Sequence, residues 1–184
     1  MDDFISAEEA LAAFHRVAET IGAGDLHRCT PCPAWDIETL AEHLIDTISR
    51  VAAAAGIPAA AAAAGSIDQR IQQLTQPILN EWSCRGLAGD IFFSGRTLPA
   101  QLALGILSLE LVVHGWDLAR ATGQGYDCEP VPLEAVYAFL DSFSAATSDE
   151  QREGLFGPVV EVPGDAPLVA HIVGLSGRHP AWTP

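Results

Sequence analysis

Three ionisable side chains stand close together in an otherwise apolar stretch, LELVVHGWDLARATGQG, at residues 109–125. Glu110 and His114 are four residues apart, and Asp117 follows three residues later. On a helix, which turns by about 100° per residue, these spacings place the three side chains within roughly 60° of one another. A carboxylate, an imidazole and a second carboxylate on one side of a helix indicate that this side faces either water or something that requires them.

The surrounding apolar residues favour the second interpretation. Ala103, Ile106 and Leu107 continue the same stripe toward the N-terminus of the helix, so we expect the stripe to face the core. Ionisable groups on a core-facing stripe are costly unless each is paired, neutralised or bound to a metal ion.

A second predicted helix carries a histidine on its apolar face, because His43 shares a stripe with Leu40 and Leu44. Inside a helical bundle His43 can meet Glu110 and His114. Two imidazoles and one carboxylate suit zinc or a similar divalent ion, and three protein ligands leave an open position, as in reactive sites. The spacing alone also allows a hydrogen-bonded core histidine and an ordinary ion pair across one helical turn.

Helix-capping signals mark the elements that must position these residues. Ser6 with Glu9 forms a capping-box pattern before the first helix, and Asp36 is an N-cap candidate for the second. Ser66 with Gln69 predicts the start of a third helix. These signals predict successive helices on the N-terminal side of the ionisable stretch.

Glycine and proline positions organise the middle of the chain. Pro77 is expected to kink or divide the third helix. Residues 84–99, CRGLAGDIFFSGRTLP, change to short β-like runs that predict a hairpin. Pro99 then opens the long helix that carries the ionisable residues, and Gly123 suits its C-terminal end.

The remaining segments complete a mainly helical pattern. Residues 132–147 predict another helix, residues 157–184 a short extended piece and a short helix, and residues 57–66, IPAAAAAAGS, a connector or a frayed helix end. We therefore predict a mainly all-α fold: a bundle of four long helices with a small β-hairpin and a short C-terminal extension. Residues 1–184 are expected to form a single domain.

Composition excludes several classes of protein. The net charge is −15 and all nine basic residues are arginine, so binding to nucleic acid is not expected. No apolar run approaches the roughly 20 residues of a membrane span, and the N-terminus lacks the pattern of a signal peptide, so we predict a cytoplasmic protein without a membrane span. The four cysteines, which include Cys29 and Cys32 in CTPC, are too scattered for a disulfide framework and are expected to be loop thiols.

Three segments resemble a known family: TPCPAWDIETLAEHL, ELVVHGWDLARATGQ and GLSGRHPAW. They are similar to the DinB/YfiT-like superfamily of metalloenzymes, and in particular to the N-terminal, metal-binding domain of mycothiol-dependent maleylpyruvate isomerase. The resemblance implies a four-helix bundle whose metal ion is held by His43, Glu110 and His114. Two features differ: the isomerase has an additional C-terminal domain, and many superfamily members use three histidines where Glu110 stands here.

A divalent ion with this ligand set keeps one positive charge, which favours an anionic fourth ligand, either hydroxide or a thiolate. The resemblance favours the thiolate of a low-molecular-weight thiol such as mycothiol, and hence a zinc-dependent thiol transferase or isomerase that acts on a small-molecule substrate. The alternatives are a metal- or small-ligand-binding bundle without catalysis, including a module that forms a homodimer, and a metal-dependent hydrolase.

Two further residues are candidates for the site. Asp117 is either an acceptor that orients a ligating histidine, a general base near the open position, or the partner of Arg120 or Arg50 in a salt bridge. Arg50, two turns further along the second helix than the predicted ligand, is a candidate contact for an anionic thiol or substrate, with a solvated side chain as the alternative. Trp35 and Trp116 are expected to be packing residues.

Overall fold

The computed structural model describes residues 2–57 and 65–184, so most of the predicted connector at residues 57–66 lies outside the described residues. A short 3₁₀ helix spans Ala23–Asp25. The α-helices and strands within the described residues are α1 (Asp2–Ala18), α2 (Ile37–Ala54), α3 (Ile67–Arg85), β1 (Asp90–Phe93), β2 (Arg96–Pro99), α4 (Ala100–Thr122), α5 (Pro130–Ala146), α6 (Asp149–Arg152) and α7 (Leu168–Leu175).

Four helices form a closed bundle, in which α1 packs against α4, α4 against α2, α2 against α3, and α3 against α1. Helix α5 lies outside this ring against α1 and α4, and α7 packs on α5. Strands β1 and β2 pair antiparallel, and β1 contacts α2 and α4. The prediction of a mainly helical bundle with a small hairpin is confirmed. The described residues contain five long helices rather than four. The fifth, α5, covers the four-helix bundle from outside.

Helix α4 is the most enclosed helix of the fold. Because α1, α2 and α5 surround it, it is apolar on nearly every side, and Leu104, Leu107, Leu111 and Leu118 are fully buried. By length and composition α4 is long and apolar enough to cross a membrane, contrary to the expectation from the sequence. Its most apolar window is 78% buried inside the bundle, as in the core helix of a soluble protein. The absence of a membrane span stays a prediction.

The capping predictions nearest the site are confirmed. Asp36 Oδ1 accepts a hydrogen bond from the Thr39 backbone N–H at 2.9 Å and so starts α2. Ser66 and Gln69 form a capping box at the start of α3. Gly123 ends α4 in the left-handed conformation, with φ 73°. Local chemistry therefore fixes where α2 begins and where α4 ends.

The predicted start of α1 is wrong, and of the two outcomes predicted at Pro77, a kink or a division, the division does not occur. Helix α1 begins at Asp2 rather than after Ser6, because Phe4 packs against the core and extends the apolar stripe upstream of the predicted cap. Helix α3 continues undivided through Pro77. On either side of the proline, Leu74 and Ile78 are buried in the core. This packing outweighs the loss of one backbone hydrogen bond.

The segment after α7 is held close to the rest of the chain by a tight backbone contact. Gly177 has φ 84°, and a Cβ atom at this position would lie 2.5 Å from the Cα atom of Gly157. Arg152 donates hydrogen bonds to the carbonyl oxygens of Leu175 and Gly157 beside it. These contacts fix the backbone immediately before Arg178.

We expect Gly177→Ala to destabilise the protein more than Gly123→Ala, measured as the free energy of unfolding in urea. Both glycines have a positive φ, so alanine costs about 1 kcal/mol at either position. Only Gly177 also has backbone atoms within 3 Å of the added Cβ, which raises its total to about 2–4 kcal/mol. Equal losses for the two variants would contradict this account of the C-terminal turn.

Candidate metal centre

The three residues selected by the two stripes meet in the structure. His43 comes from α2, and Glu110 and His114 come from successive turns of α4. Glu110 Oε2 lies 3.3 Å from His43 Nε2 and 3.2 Å from His114 Nε2. All three ligand atoms lie within 4.8 Å of one another. The packing of α2 against α4 therefore brings two imidazoles and one carboxylate to a single point.

The distances from Glu110 to the two imidazoles are compatible with a tetrahedral zinc ion as well as with hydrogen bonds. Two ligand atoms that are each about 2.0–2.1 Å from zinc, at a tetrahedral angle, lie about 3.3–3.4 Å apart. The distances from Glu110 Oε2 to the imidazole nitrogens, 3.3 and 3.2 Å, are close to this value. The donor set of two histidines and one carboxylate is also the type found in zinc enzymes with an open position.

The candidate ligands are partly shielded from water. The side chains of His43, Glu110 and His114 are 29, 17 and 8% exposed. Burial by itself raises the pKa of Glu110, but hydrogen bonds from His114 and His43 outweigh burial and lower this pKa to about 2. Glu110 is therefore an anion at neutral pH, which is the form that binds a cation.

Asp117 lies directly behind His114. Its Oδ2 atom is 2.9 Å from His114 Nδ1, and the Asp117 side chain is fully buried. Arg178 donates to Asp117 Oδ2 from Nη2 at 3.0 Å and to Oδ1 from Nε at 3.4 Å. Burial raises the pKa of Asp117, whereas the hydrogen bond from His114 and the charge of Arg178 lower it by more. Asp117 is thus a buried carboxylate anion between an imidazole and a guanidinium.

These contacts differ from the salt bridges that the sequence suggested. The guanidinium on Asp117 belongs to Arg178, and neither Arg120 nor Arg50 fills that place. Arg120 donates two hydrogen bonds to the carbonyl oxygen of Trp182. Arg50 forms an ion pair with Asp46 that is exposed to solvent, with an Nη2–Oδ2 distance of 2.5 Å. The structure thus brings Asp117 to the ligand cluster and leaves Arg50 on the surface of α2.

Trp35 lies against both histidines, with ring centroids 4.5 Å from His43 and 6.1 Å from His114. A compact loop places it there, because Thr30 Oγ1 donates to the Trp35 carbonyl oxygen at 2.8 Å. Trp35 is therefore both a packing residue and a wall of the site. Cys32 in the same loop is half-buried, and burial raises the pKa of its thiol, so the Cys32 thiol stays protonated at neutral pH.

A second group of ligand-type side chains lies on the surface, formed by His27, Asp36 and Glu38. The His27 side chain is 81% exposed, and Asp36 already caps α2 through its other oxygen. Two surface cavities, of about 390 and 260 Å³, are lined by neither His43 nor His114. Within the described residues, the group around Glu110 is thus the more enclosed of the two candidate sites.

The burial of the Asp117–Arg178 pair predicts a large effect of removing its negative charge. In chelator-treated protein, Asp117→Asn should lower the free energy of unfolding by about 3–5 kcal/mol, because Arg178 is left buried without a counter-charge. The matched change Asp46→Asn, in the exposed pair with Arg50, should cost at most about 1 kcal/mol. Chemical denaturation measures both values, and equally small losses would mean that the Asp117–Arg178 pair does not form.

Comparison with known proteins adds a family likeness. Residues 7–85 match the model of the mycothiol maleylpyruvate isomerase N-terminal domain. Two uncharacterized proteins of Mycobacterium tuberculosis, from strains CDC 1551 and H37Rv, are each 27% identical over 132 residues, which cover 71% of this chain and 72% of the relative. A crystal structure of the mycothiol-dependent maleylpyruvate isomerase aligns with a TM-score of 0.48 at 16% identity, over 75% of this chain and 68% of that one. From α1 through α3, the chain resembles the N-terminal domain of mycothiol maleylpyruvate isomerase.

Proposed function

We propose that this chain is a metal-dependent enzyme of the thiol transferase or isomerase class. One divalent ion, which we propose is zinc, would be bound by His43, Glu110 and His114. Its open coordination position would accept a low-molecular-weight thiol such as mycothiol. The substrate would be a small molecule, and residues 1–184 would act as one domain in the cytoplasm.

One observation carries the proposal: side chains from two helices converge, with Glu110 Oε2 at 3.2–3.3 Å from both imidazoles and all three ligand-type atoms within 4.8 Å of one another. The carboxylate is an anion, and it lies inside the bundle beside apolar residues such as Leu107 and Leu111. A bound cation would offset the cost of burying that charge.

The other residues of the site support the ligands. Asp117 accepts the Nδ1 proton of His114, which leaves Nε2 directed toward Glu110 and available to a metal ion. Because Asp117 is fully buried and Arg178 occupies both of its oxygens, we assign it to orienting His114 rather than to general-base catalysis. Trp35 shields the imidazole of His43 on one side.

Two arguments favour a thiol as the fourth ligand. A divalent ion with two neutral imidazoles and Glu110 retains one positive charge, which favours an anion, and a thiolate is a good ligand for zinc. Residues 7–85 match the mycothiol maleylpyruvate isomerase N-terminal domain. When bound, the ion would lower the pKa of the thiol and so supply a reactive thiolate. Arg50 remains the proposed contact for an anionic part of the thiol or substrate.

We predict that the purified protein binds about one divalent ion per chain, and that His43→Ala and His114→Ala each abolish this binding. The variants should keep a helical far-UV spectrum, since the bundle has an apolar core of its own. Metal analysis after dialysis, with circular dichroism of the same samples, measures both results.

The matched control is His27→Ala, which removes the histidine of the exposed cluster and should leave metal content unchanged. Full metal occupancy in both the His43 and the His114 variants would exclude the proposed centre. Loss of metal in the His27 variant alone would place the ion at the surface cluster instead.

The proposed function also predicts direct binding of the thiol to the metal ion. With cobalt in place of the native metal, adding mycothiol should produce a sulfur-to-metal charge-transfer band, because the thiolate enters the open position. The band should be absent in Glu110→Ala, which removes a ligand. Absorption spectroscopy during a thiol titration provides the measurement.

Cys32→Ser is the control for sulfur from the chain itself, since the Cys32 thiol interacts with the charges of Asp117 and Arg178. The band should persist in this variant. A cobalt spectrum that stays unchanged at millimolar thiol would exclude the thiol-dependent function, and thiol-independent turnover of an ester or amide would support a hydrolase.

A further inference from the structure

The C-terminal segment supplies a buried cation to the rear of the candidate metal centre. Arg178 lies three residues beyond the end of α7 and 61 residues after Asp117. Its side chain is 8% exposed, which is unusual for arginine. Nη2 and Nε face the two oxygens of Asp117, and Nη1 donates to the carbonyl oxygen of Ser176 at 2.8 Å.

We infer that Arg178 is a positioning residue of the metal centre, acting on His114 through Asp117; this inference rests on the proposed function. The guanidinium fork holds both carboxylate oxygens, so Asp117 cannot rotate away from His114 Nδ1. An Asp117 fixed in this way holds the Nδ1 proton of His114, and His114 Nε2 is then presented beside Glu110.

A second buried arginine, Arg152, provides a control that distinguishes a positioning role of Arg178 from a role in stability alone. Arg152 is buried and donates to Ser144 Oγ and to the carbonyl oxygens of Gly157 and Leu175. Like Arg178 it holds the segment around the end of α7, but its hydrogen bonds reach no candidate ligand and not Asp117. If Arg178 only stabilised the fold, changing either arginine would affect the metal centre equally.

The experiment compares Arg178→Met, Arg178→Lys and Arg152→Met in cobalt-loaded protein. Methionine removes the guanidinium and keeps an unbranched side chain. Cobalt affinity is measured by competition with a chelator, and proton NMR follows the exchangeable imidazole N–H signals shifted by the paramagnetic ion. The N–H of His114 should exchange slowly in wild type because Asp117 holds it. That of His43, whose Nδ1 has no hydrogen-bond partner within residues 2–57 and 65–184, provides an internal reference.

We expect Arg178→Met to bind cobalt about 10–100-fold more weakly and to exchange the His114 N–H faster, with the His43 signal unchanged. Arg178→Lys should show a smaller loss of affinity, because an ammonium retains the charge but cannot hold both oxygens of Asp117. Arg152→Met should lose stability but keep wild-type cobalt affinity and exchange.

The outcomes separate this inference from the proposed function. If wild-type protein does not bind cobalt, the proposed metal centre fails and the role of Arg178 fails with it. If wild type binds and the Arg178 variants match it in affinity and in exchange of the His114 N–H, the inference alone is overturned. If Arg178→Met does not fold, Arg178→Lys decides by the same two measurements. Equal losses in Arg152→Met would likewise overturn the inference and assign Arg178 to general stability.

Discussion

The arrangement of the site depends on one buried carboxylate, Glu110, held between imidazoles from two helices. Its pKa of about 2 reflects hydrogen bonds that outweigh the cost of burial. If either His43 or His114 were removed, Glu110 would lose one of its two hydrogen-bond partners in the apolar interior of the bundle. The contact between α2 and α4 is therefore chemically specific at this point, and the register of the two helices is constrained by it as well as by side-chain packing.

Behind this carboxylate a row of polar contacts continues into the protein. Glu110 meets His114, His114 meets Asp117, and Asp117 meets Arg178. Each carboxylate in the row faces at least one hydrogen-bond donor, so neither is left without a partner. Buried ion pairs of this kind are rarely better for stability than well-packed apolar side chains. Their presence beside the candidate ligands is thus more readily explained by the proposed metal centre than by stability.

The sequence predicted the ligand cluster because helical periodicity is a local property. Placing Glu110 and His114 on one face of α4 requires only their spacing, and the apolar residues around His43 indicate its orientation. Caps at Asp36 and Gly123 could be read for the same reason. Arg178 could not be assigned, since nothing in the spacing of residues 61 positions apart indicates contact. The GLSGRHPAW segment contributed to the family resemblance, and its single arginine was the only local signal.

The errors have a related cause. The start of α1 and the continuity of α3 through Pro77 were set by tertiary packing, which outweighed local capping and proline rules. The same packing determines what the C-terminal segment does. Arg120 and Arg152 bind its carbonyl oxygens and fix its backbone, whereas Arg178 also reaches Asp117. One buried ion pair therefore connects this segment to the candidate ligands, and the segment after α7 is a structural wall of the site rather than an appendage to the bundle.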